Sequence, residues 1–232
     1  MLQVKNLAFD IISLLFPNLC NGCGLSLYGG EKVICLRCLA DLPYTDFHLY
    51  QHNLVAKQFW GRLPFEAAMA MLYFKKGTKT QNLIHNLKYK HQTEVGVKLG
   101  GLLGEKLKLS EYYRDVDYII PVPLHPKKER QRGYNQSSYI AEGLSAEIDV
   151  PVNNNQLFRK KITDTQTKKS RYTRYENMLT VFEIDKPEIL KNKHILLVDD
   201  VITTGATIEA CGNSLLKCGI KKLSIACVAF AK

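Results

Sequence analysis

The run Ile195-Leu-Leu-Val-Asp-Asp-Val-Ile-Thr-Thr-Gly-Ala-Thr207 constrains the fold of this chain of 232 residues more than any other stretch. Ile195 to Val198 is apolar without alternation, the pattern of a strand covered on both faces within a parallel sheet, so the expected class is α/β. Asp199 and Asp200 then fall where such a strand ends. Open α/β sheets bind ligands in the crevice outside those carboxyl ends, and neither residue is expected in the core. Thr203, Thr204 and Gly205 make a hydroxyl-rich turn whose glycine lets the backbone approach a ligand closely. Thr207 to Leu216 reads as a helix, so the turn's amides and the helix N-terminus converge on one spot that suits a phosphate.

Carboxylates cannot bind phosphate directly, but they accept hydrogen bonds from vicinal hydroxyls. The combination describes a ribose 5-phosphate: Asp199 and Asp200 on the 2- and 3-hydroxyls, with Thr203, Thr204, Gly205, Ala206 and Thr207 around the phosphate. An apolar strand ending in Asp-Asp also serves as the magnesium strand of P-loop NTPases. That alternative needs a G-x-x-x-x-G-K-[ST] loop, and the chain contains no Gly-Lys dipeptide.

The length accommodates one α/β domain and a small accessory module. No stretch approaches the ~20 apolar residues of a membrane span. Leu2 to Phe16 departs from a signal peptide in three ways: Asp10 interrupts it, Lys5 is nearly its only positive charge, and no small-residue cleavage site follows. It reads as an amphipathic helix with Val4, Leu7, Ala8, Ile11, Ile12 and Leu15 on one face, docked on a cytoplasmic protein. The net charge is +10, and between Lys127 and Arg174 eleven Lys/Arg face five Asp/Glu. Phosphate-rich ligands or nucleic acid are the natural partners of such a segment, against the plainer reading of solvated loop charges.

Cys20-x-x-Cys23 and Cys35-x-x-Cys38 flank eleven residues, Gly24 to Ile34. Two such pairs suit tetrahedral thiolate ligation of one structural zinc ion, with a redox motif or two disulfides as the competing readings. Leu42 to Leu63 lacks periodicity and reads as a linker whose aromatics, Phe47, Tyr50, Phe59 and Trp60, pack the module onto the main domain. His48 and His52 are expected at the surface. The domains expected are therefore 1–62, with the first helix, the cysteine module and the linker, and 63–232.

Phe65 to Phe74 reads as a strand, Gln81 to Lys88 and Glu94 to Leu107 as helices. Lys88 and Tyr89 could face the site, although a lysine at a helix C-terminus usually just favours the dipole. Asp117 to Ile120 is a short strand running into Pro121-Val-Pro-Leu-His-Pro126, where prolines end the ladder and stiffen a loop at the sheet edge. Lys127, Lys128, Arg130 and Arg132 follow, an arrangement that suits a pyrophosphate. His125 is a candidate acid or base, or an edge histidine bonded to backbone. A helix from Ser137 to Ala146 comes next. Arg159 to Asn177 has too few apolar residues to hold itself closed and is expected to be a mobile hood over the pyrophosphate, against a permanent track for single-stranded DNA. Leu179 to Ile184 and Leu223 to Phe230 read as strands, while Cys211, Cys218 and Cys227 read as buried small apolar residues.

The cysteine module, Pro121-Val-Pro-Leu-His125, Arg132-Gly-Tyr-Asn-Gln136, Thr163-x-x-Gln166, Arg174-x-x-Asn177 and the Ile195–Thr207 signature together resemble the ComF and GntX-like family of type I phosphoribosyltransferases. Many members have a longer cysteine region. Here no cysteine lies between Cys38 and Cys211, so one zinc ion is expected. The resemblance implies a parallel-sheet phosphoribosyltransferase core binding magnesium phosphoribosyl pyrophosphate (PRPP). Pro123, Leu124, His125, Arg132, Asn135, Gln166 and Arg174 would form the pyrophosphate loop and hood. It implies catalysis by positioning and electrostatics, with positive charge developing at the anomeric carbon and no protein nucleophile. Transfer to an unstated acceptor stands beside a second implication, a competence protein handling single-stranded DNA with a DNA-uptake helicase and using PRPP for sensing.

Overall fold

The computed structural model describes residues 17–159 and 181–231. At its centre β1 (Ala67–Phe74), β2 (Tyr118–Pro121), β5 (His194–Ile202) and β6 (Lys222–Ala231) form an all-parallel sheet in the order β1-β6-β5-β2. Its two inner strands carry the apolar runs, and Ile195 to Val198 are fully buried. β2 lies at an edge, where Pro121 removes no ladder bond that the sheet needs. A separate antiparallel pair, β3 (Leu157–Arg159) and β4 (Phe182–Ile184), brackets residues 160–180. Thr163, Gln166, Lys168, Lys169, Arg171, Arg174 and Asn177 lie outside the described residues, as does the amphipathic stretch Leu2 to Phe16.

The helices are α1 (Leu36–Ala40), α2 (Leu54–Phe59), α3 (Lys79–Tyr89), α4 (Thr93–Lys108), α5 (Pro126–Arg132), α6 (Gln136–Ile148), α7 (Pro187–Leu190) and α8 (Ala206–Lys217). α4 and α6 pack backbone to backbone. Gly96, Gly100 and Gly104 recur every fourth residue along α4 and meet α6. A Cβ at Gly100 would stand 2.0 Å from the Ile140 carbonyl oxygen, and one at Gly143 would stand 2.0 Å from that of Val97. This close approach seats the N-terminus of α6, with Ser137, against β5.

The stretch from 42 to 63 is not a loose linker. A 3₁₀ turn, Phe47–Leu49, and α2 are stitched onto β1: Thr45 Oγ1 donates to the Ala70 carbonyl at 2.5 Å and Asn53 Nδ2 to that of Ala68 at 2.8 Å. Of the four aromatics expected to anchor it, Phe47 and Phe59 are buried, whereas Tyr50 and Trp60 are 60% and 51% exposed. His48 is a correction: it is 3% exposed, enclosed by the turn that the missing periodicity concealed, while His52 is at the surface. Cys211 and Cys227 are fully buried, as expected of small apolar residues.

Replacing Gly100 by alanine tests the helix contact. Helix propensity favours alanine by about 1 kcal/mol. Overpacking costs about 1–3 kcal/mol and here meets backbone rather than a side chain that can turn away. We expect Gly100→Ala to lower the unfolding free energy by a net ~1–2 kcal/mol, read as a lower urea midpoint, or to prevent folding; a stability equal to or above wild type contradicts the packing.

Candidate functional site

A cleft of about 520 Å³ opens at the carboxyl end of the sheet. Its floor is Asp199, Asp200 and Val201, with Thr203 and Thr207 on one side. The stretch 122–125 and Lys128 and Arg132 of α5 form another wall, α3 contributes Gln81, Ile84, His85, Lys88 and Tyr89, and Arg159 enters from β3.

The two aspartates do not lie past the end of their own strand. β5 stays paired to β6 through Ile202, with Asp199 opposite Cys227 and Val201 opposite Ala229. The strand that ends is β2, whose last residue, Pro121, pairs with Val198. The floor of the cleft is therefore the part of β5 that outruns its edge neighbour. Asp200 is only 3% exposed, a correction to its expected place outside the core. Lys88 makes that burial tolerable: its Nζ stands 2.7 Å from Asp200 Oδ2, within ion-pair reach though this oxygen has no hydrogen bond. Asp199 Oδ1 accepts from Ser137 Oγ at 2.9 Å and from the Asp200 amide at 2.8 Å. Burial first, and then the charge of Asp200, push the Asp199 carboxyl up to about 7, against the opposing pull of the Asp200 amide, Lys88 and Ser137.

The turn after β5 is braced from behind. Gln58 Nε2 donates to the Thr203 carbonyl at 3.0 Å, and Arg62 donates to that of Thr204 at 3.2 Å while pairing with Glu209. Gly205 has a φ of 75°, and a Cβ there would come within 2.8 Å of the Phe59 ring. Its glycine is thus required by packing on α2 as well as by the turn. Thr204 Oγ1 accepts from the Ala206 amide at 3.4 Å. Thr204, Gly205 and Ala206 shape the turn without lining the cleft.

In the opposite wall, His125 caps α5: its Nδ1 accepts from the Lys127 amide at 3.1 Å. Burial and the neighbouring cations Arg159, Lys128, Lys127 and Arg130 hold its pKa below the usual value. The backbone-bonded reading of this histidine is the one observed. Asn135 also stands outside the cleft; it caps α6 and donates to the Val122 carbonyl at 3.0 Å, tying the proline-rich stretch to that helix. Pro123, Leu124, His125, Arg132, Asp199, Asp200, Thr203 and Thr207 are the expected site residues that line the cleft, whereas Gln166 and Arg174 lie outside the described residues.

Lys88 and Tyr89 do face the site, and Gln81, His85 and Ser137 join it without a motif of their own to mark them. Gln81, His85 and Lys88 recur at helical spacing, so a polar stripe along α3 was a readable signal. The opposite side of α3 holds the cysteine module, with Asn82 Nδ2 donating to the Gly22 carbonyl at 2.8 Å and Asn86 Nδ2 to that of Asn21 at 3.1 Å. Cys20, Cys23, Cys35 and Cys38 place their sulfurs within 4.8 Å of one another, with Cys23 and Cys35 at 3.9 Å. A tetrahedral zinc with bonds of about 2.3 Å sets sulfurs ~3.8 Å apart, so the cluster could hold that ion. Amides of Gly22, Cys35 and Cys38 donate to the sulfurs, and the cysteines are free thiols.

A phosphoribosyl transferase domain matches residues 135–232. DNA utilization protein YhgH of Escherichia coli K12 is 29% identical over 204 residues, covering 85% of this chain and 84% of the relative. Competence protein F of Haemophilus influenzae is 33% identical over 150 residues, covering 62% and 64% of the two chains. Among solved structures, the purine phosphoribosyltransferase of Pyrococcus horikoshii is 26% identical, with a TM-score of 0.39 over 61% of this chain and 75% of that one. The glutamine PRPP amidotransferase of B. subtilis is 17% identical, with a TM-score of 0.44 over 62% of this chain and 30% of that one. A parallel sheet with this domain match gives the chain a type I phosphoribosyltransferase-like fold. The domain match, with competence and DNA-utilization proteins among the relatives, supports a ComF-like phosphoribosyltransferase family. Among the described residues, no helix is long and apolar enough to cross a membrane.

The raised Asp199 pKa carries a sign. From pH 3.8 to about 7 the native carboxyl holds a proton that the unfolded one releases, so stability falls as pH rises across that window. Asp199→Asn removes the term. In ligand-free protein we expect the variant to melt a few degrees above wild type near pH 8, with the gap closing near pH 4; a gap independent of pH contradicts the assignment.

Proposed function

We propose that the chain binds magnesium PRPP in this cleft and transfers its phosphoribosyl group to an acceptor. The observation that carries the reading is the placing of two carboxylates between a hydroxyl-rich turn and a cationic wall. The carboxylates suit the ribose hydroxyls, and the turn with Thr203 and Thr207 suits the 5-phosphate. Lys128, Arg132 and Arg159 suit the pyrophosphate, on which negative charge accumulates as the acceptor attacks the anomeric carbon and the bond to pyrophosphate breaks. The 5-phosphate is thus met by a turn and a helix start and the pyrophosphate by cationic side chains, and the protein's part is to position and neutralise.

Magnesium fits the donor set. Asp200 Oδ2 is buried and accepts no hydrogen bond, and Asp199 carries a raised pKa, so two hard oxygens share one nearby ammonium, that of Lys88. When bound, the ion would neutralise pyrophosphate oxygens. Titration calorimetry with magnesium PRPP tests the reading. We expect micromolar-scale binding that weakens about a hundredfold or more when both aspartates become asparagine, since charge-assisted hydrogen bonds contribute about 1.5–3 kcal/mol each. Equal affinity in the two proteins sinks it. A second reading, handling of single-stranded DNA with PRPP sensed rather than consumed, is favoured by the names of the relatives and the net charge of +10. Absence of pyrophosphate release with every acceptor tested, alongside salt-dependent strand binding, would favour it.

We also infer that Cys20, Cys23, Cys35 and Cys38 hold one structural zinc ion that keeps the module docked on α3. Structural zinc contributes on the order of 10 kcal/mol to folding of small modules. Cys35→Ser is therefore expected to expose the module to protease while leaving the far-ultraviolet signal of the main sheet. Absence of zinc by elemental analysis of anaerobically purified protein overturns the assignment.

A further inference from the structure

Beside the cleft lies an annex of about 210 Å³, lined by Lys88, Tyr89, His91, Lys128, Gln131 and Arg132. It shares Lys88, Tyr89, Lys128 and Arg132 with the cleft, so the two spaces are divided by side chains rather than backbone. Two properties set it apart from an ordinary solvated surface. First, no carboxylate lines it. Lys88 is committed to Asp200, but Lys128 has no acidic partner among the described residues, and the Arg132 contacts are Gln136 and an aromatic ring. Second, that ring is Tyr89, which ends α3 and is 66% exposed. The Arg132 guanidinium lies 5.4 Å from its centroid and the His85 ring 5.0 Å away. An aromatic surface held by a helix and flanked by a guanidinium is a stacking platform for a planar base.

We propose that the annex binds a nucleotide unit, its base stacked on Tyr89 and its phosphate beside Lys128 and His91. A free nucleobase would need only the platform. His91 and Gln131 line the annex and not the cleft, and with Lys128 in the shared wall they leave a place for an anionic group beside the base, separate from the pyrophosphate. Lys128 and Arg132 stand in the shared wall and can face both ligands. Nucleotide binding here does not depend on the proposed transfer reaction.

The same chemistry is offered by a free mononucleotide and by a residue of a single strand. Calorimetry with thymidine 5′-monophosphate and fluorescence anisotropy with a labelled oligothymidylate separate the two sources, and binding of either supports the annex. For the ligand that binds, Tyr89→Ala is expected to weaken affinity about tenfold or more, while Tyr89→Phe stays within about twofold of wild type. Gln131→Glu, which sets a carboxylate in the annex at an exposed position, should weaken it comparably, and by more than it weakens magnesium PRPP, which keeps its remaining contacts in the cleft. Lys217→Glu, at the far end of α8 and roughly 17 Å along that helix from the cleft, controls for general charge. The proposal is overturned if neither ligand binds, or if Tyr89→Ala and Gln131→Glu cost no more than Lys217→Glu. Magnesium PRPP affinity of wild type is measured separately: its absence defeats the transfer reading, while its presence with an indifferent annex defeats this proposal alone.

Discussion

Two adjacent carboxylates inside a parallel sheet are an electrostatic burden, and much of the surrounding architecture answers to it. Burial and mutual repulsion push the Asp199 carboxyl up to about 7 in the ligand-free protein. Asp200, more deeply buried, is held by Lys88 from α3, and Asp199 by Ser137 from α6. One ammonium is thus paired with two carboxylates, an imbalance that a cationic metal with a polyhydroxylated ligand would relieve.

Each counter-group is placed by a packing device remote from the cleft. The glycine seam between α4 and α6 brings two helix backbones into contact and so fixes where Ser137 meets β5. The cysteine module grips α3 through Asn82 and Asn86, on the side away from Gln81, His85 and Lys88. The segment around α2 supports the turn after β5, with Phe59 beneath Gly205 and Gln58 and Arg62 on its carbonyls. What reads as an accessory module and a linker is therefore scaffolding for the site.

The parts legible in the sequence were those written in local pattern. Ile195 to Val198 announced a doubly covered strand, and the four cysteines announced a shared cluster by their spacing. The turn before α8 was legible because hydroxyls, glycine and a helix start fall together. Burial of Asp200 was not, because its tolerance depends on Lys88, which only the fold brings close. The α2 region was misread since six residues of helix carry too little periodicity to register, although Asn53, which accepts from the Val55 and Ala56 amides, was a readable start signal. His48 followed the same error inward. The glycines of α4 were present at regular spacing, but apolar periodicity alone does not reveal that a helix face exists for another backbone to touch.

A basic wall, a raised carboxyl and an exposed ring along one continuous opening give the protein room for a ribose phosphate, its leaving group and a partner. The central claim is that Lys88 answers only one of the two carboxylates, so that Asp199 stays raised until the ligand arrives. Carbon-13 titration of the aspartate carboxyls, assigned with Asp199→Asn, measures this directly. Asp199 is expected to titrate near pH 7 in free protein, as its burial beside Asp200 requires, and to fall well below that when magnesium PRPP is bound. A carboxyl that titrates in the ordinary range with and without the ligand contradicts the claim.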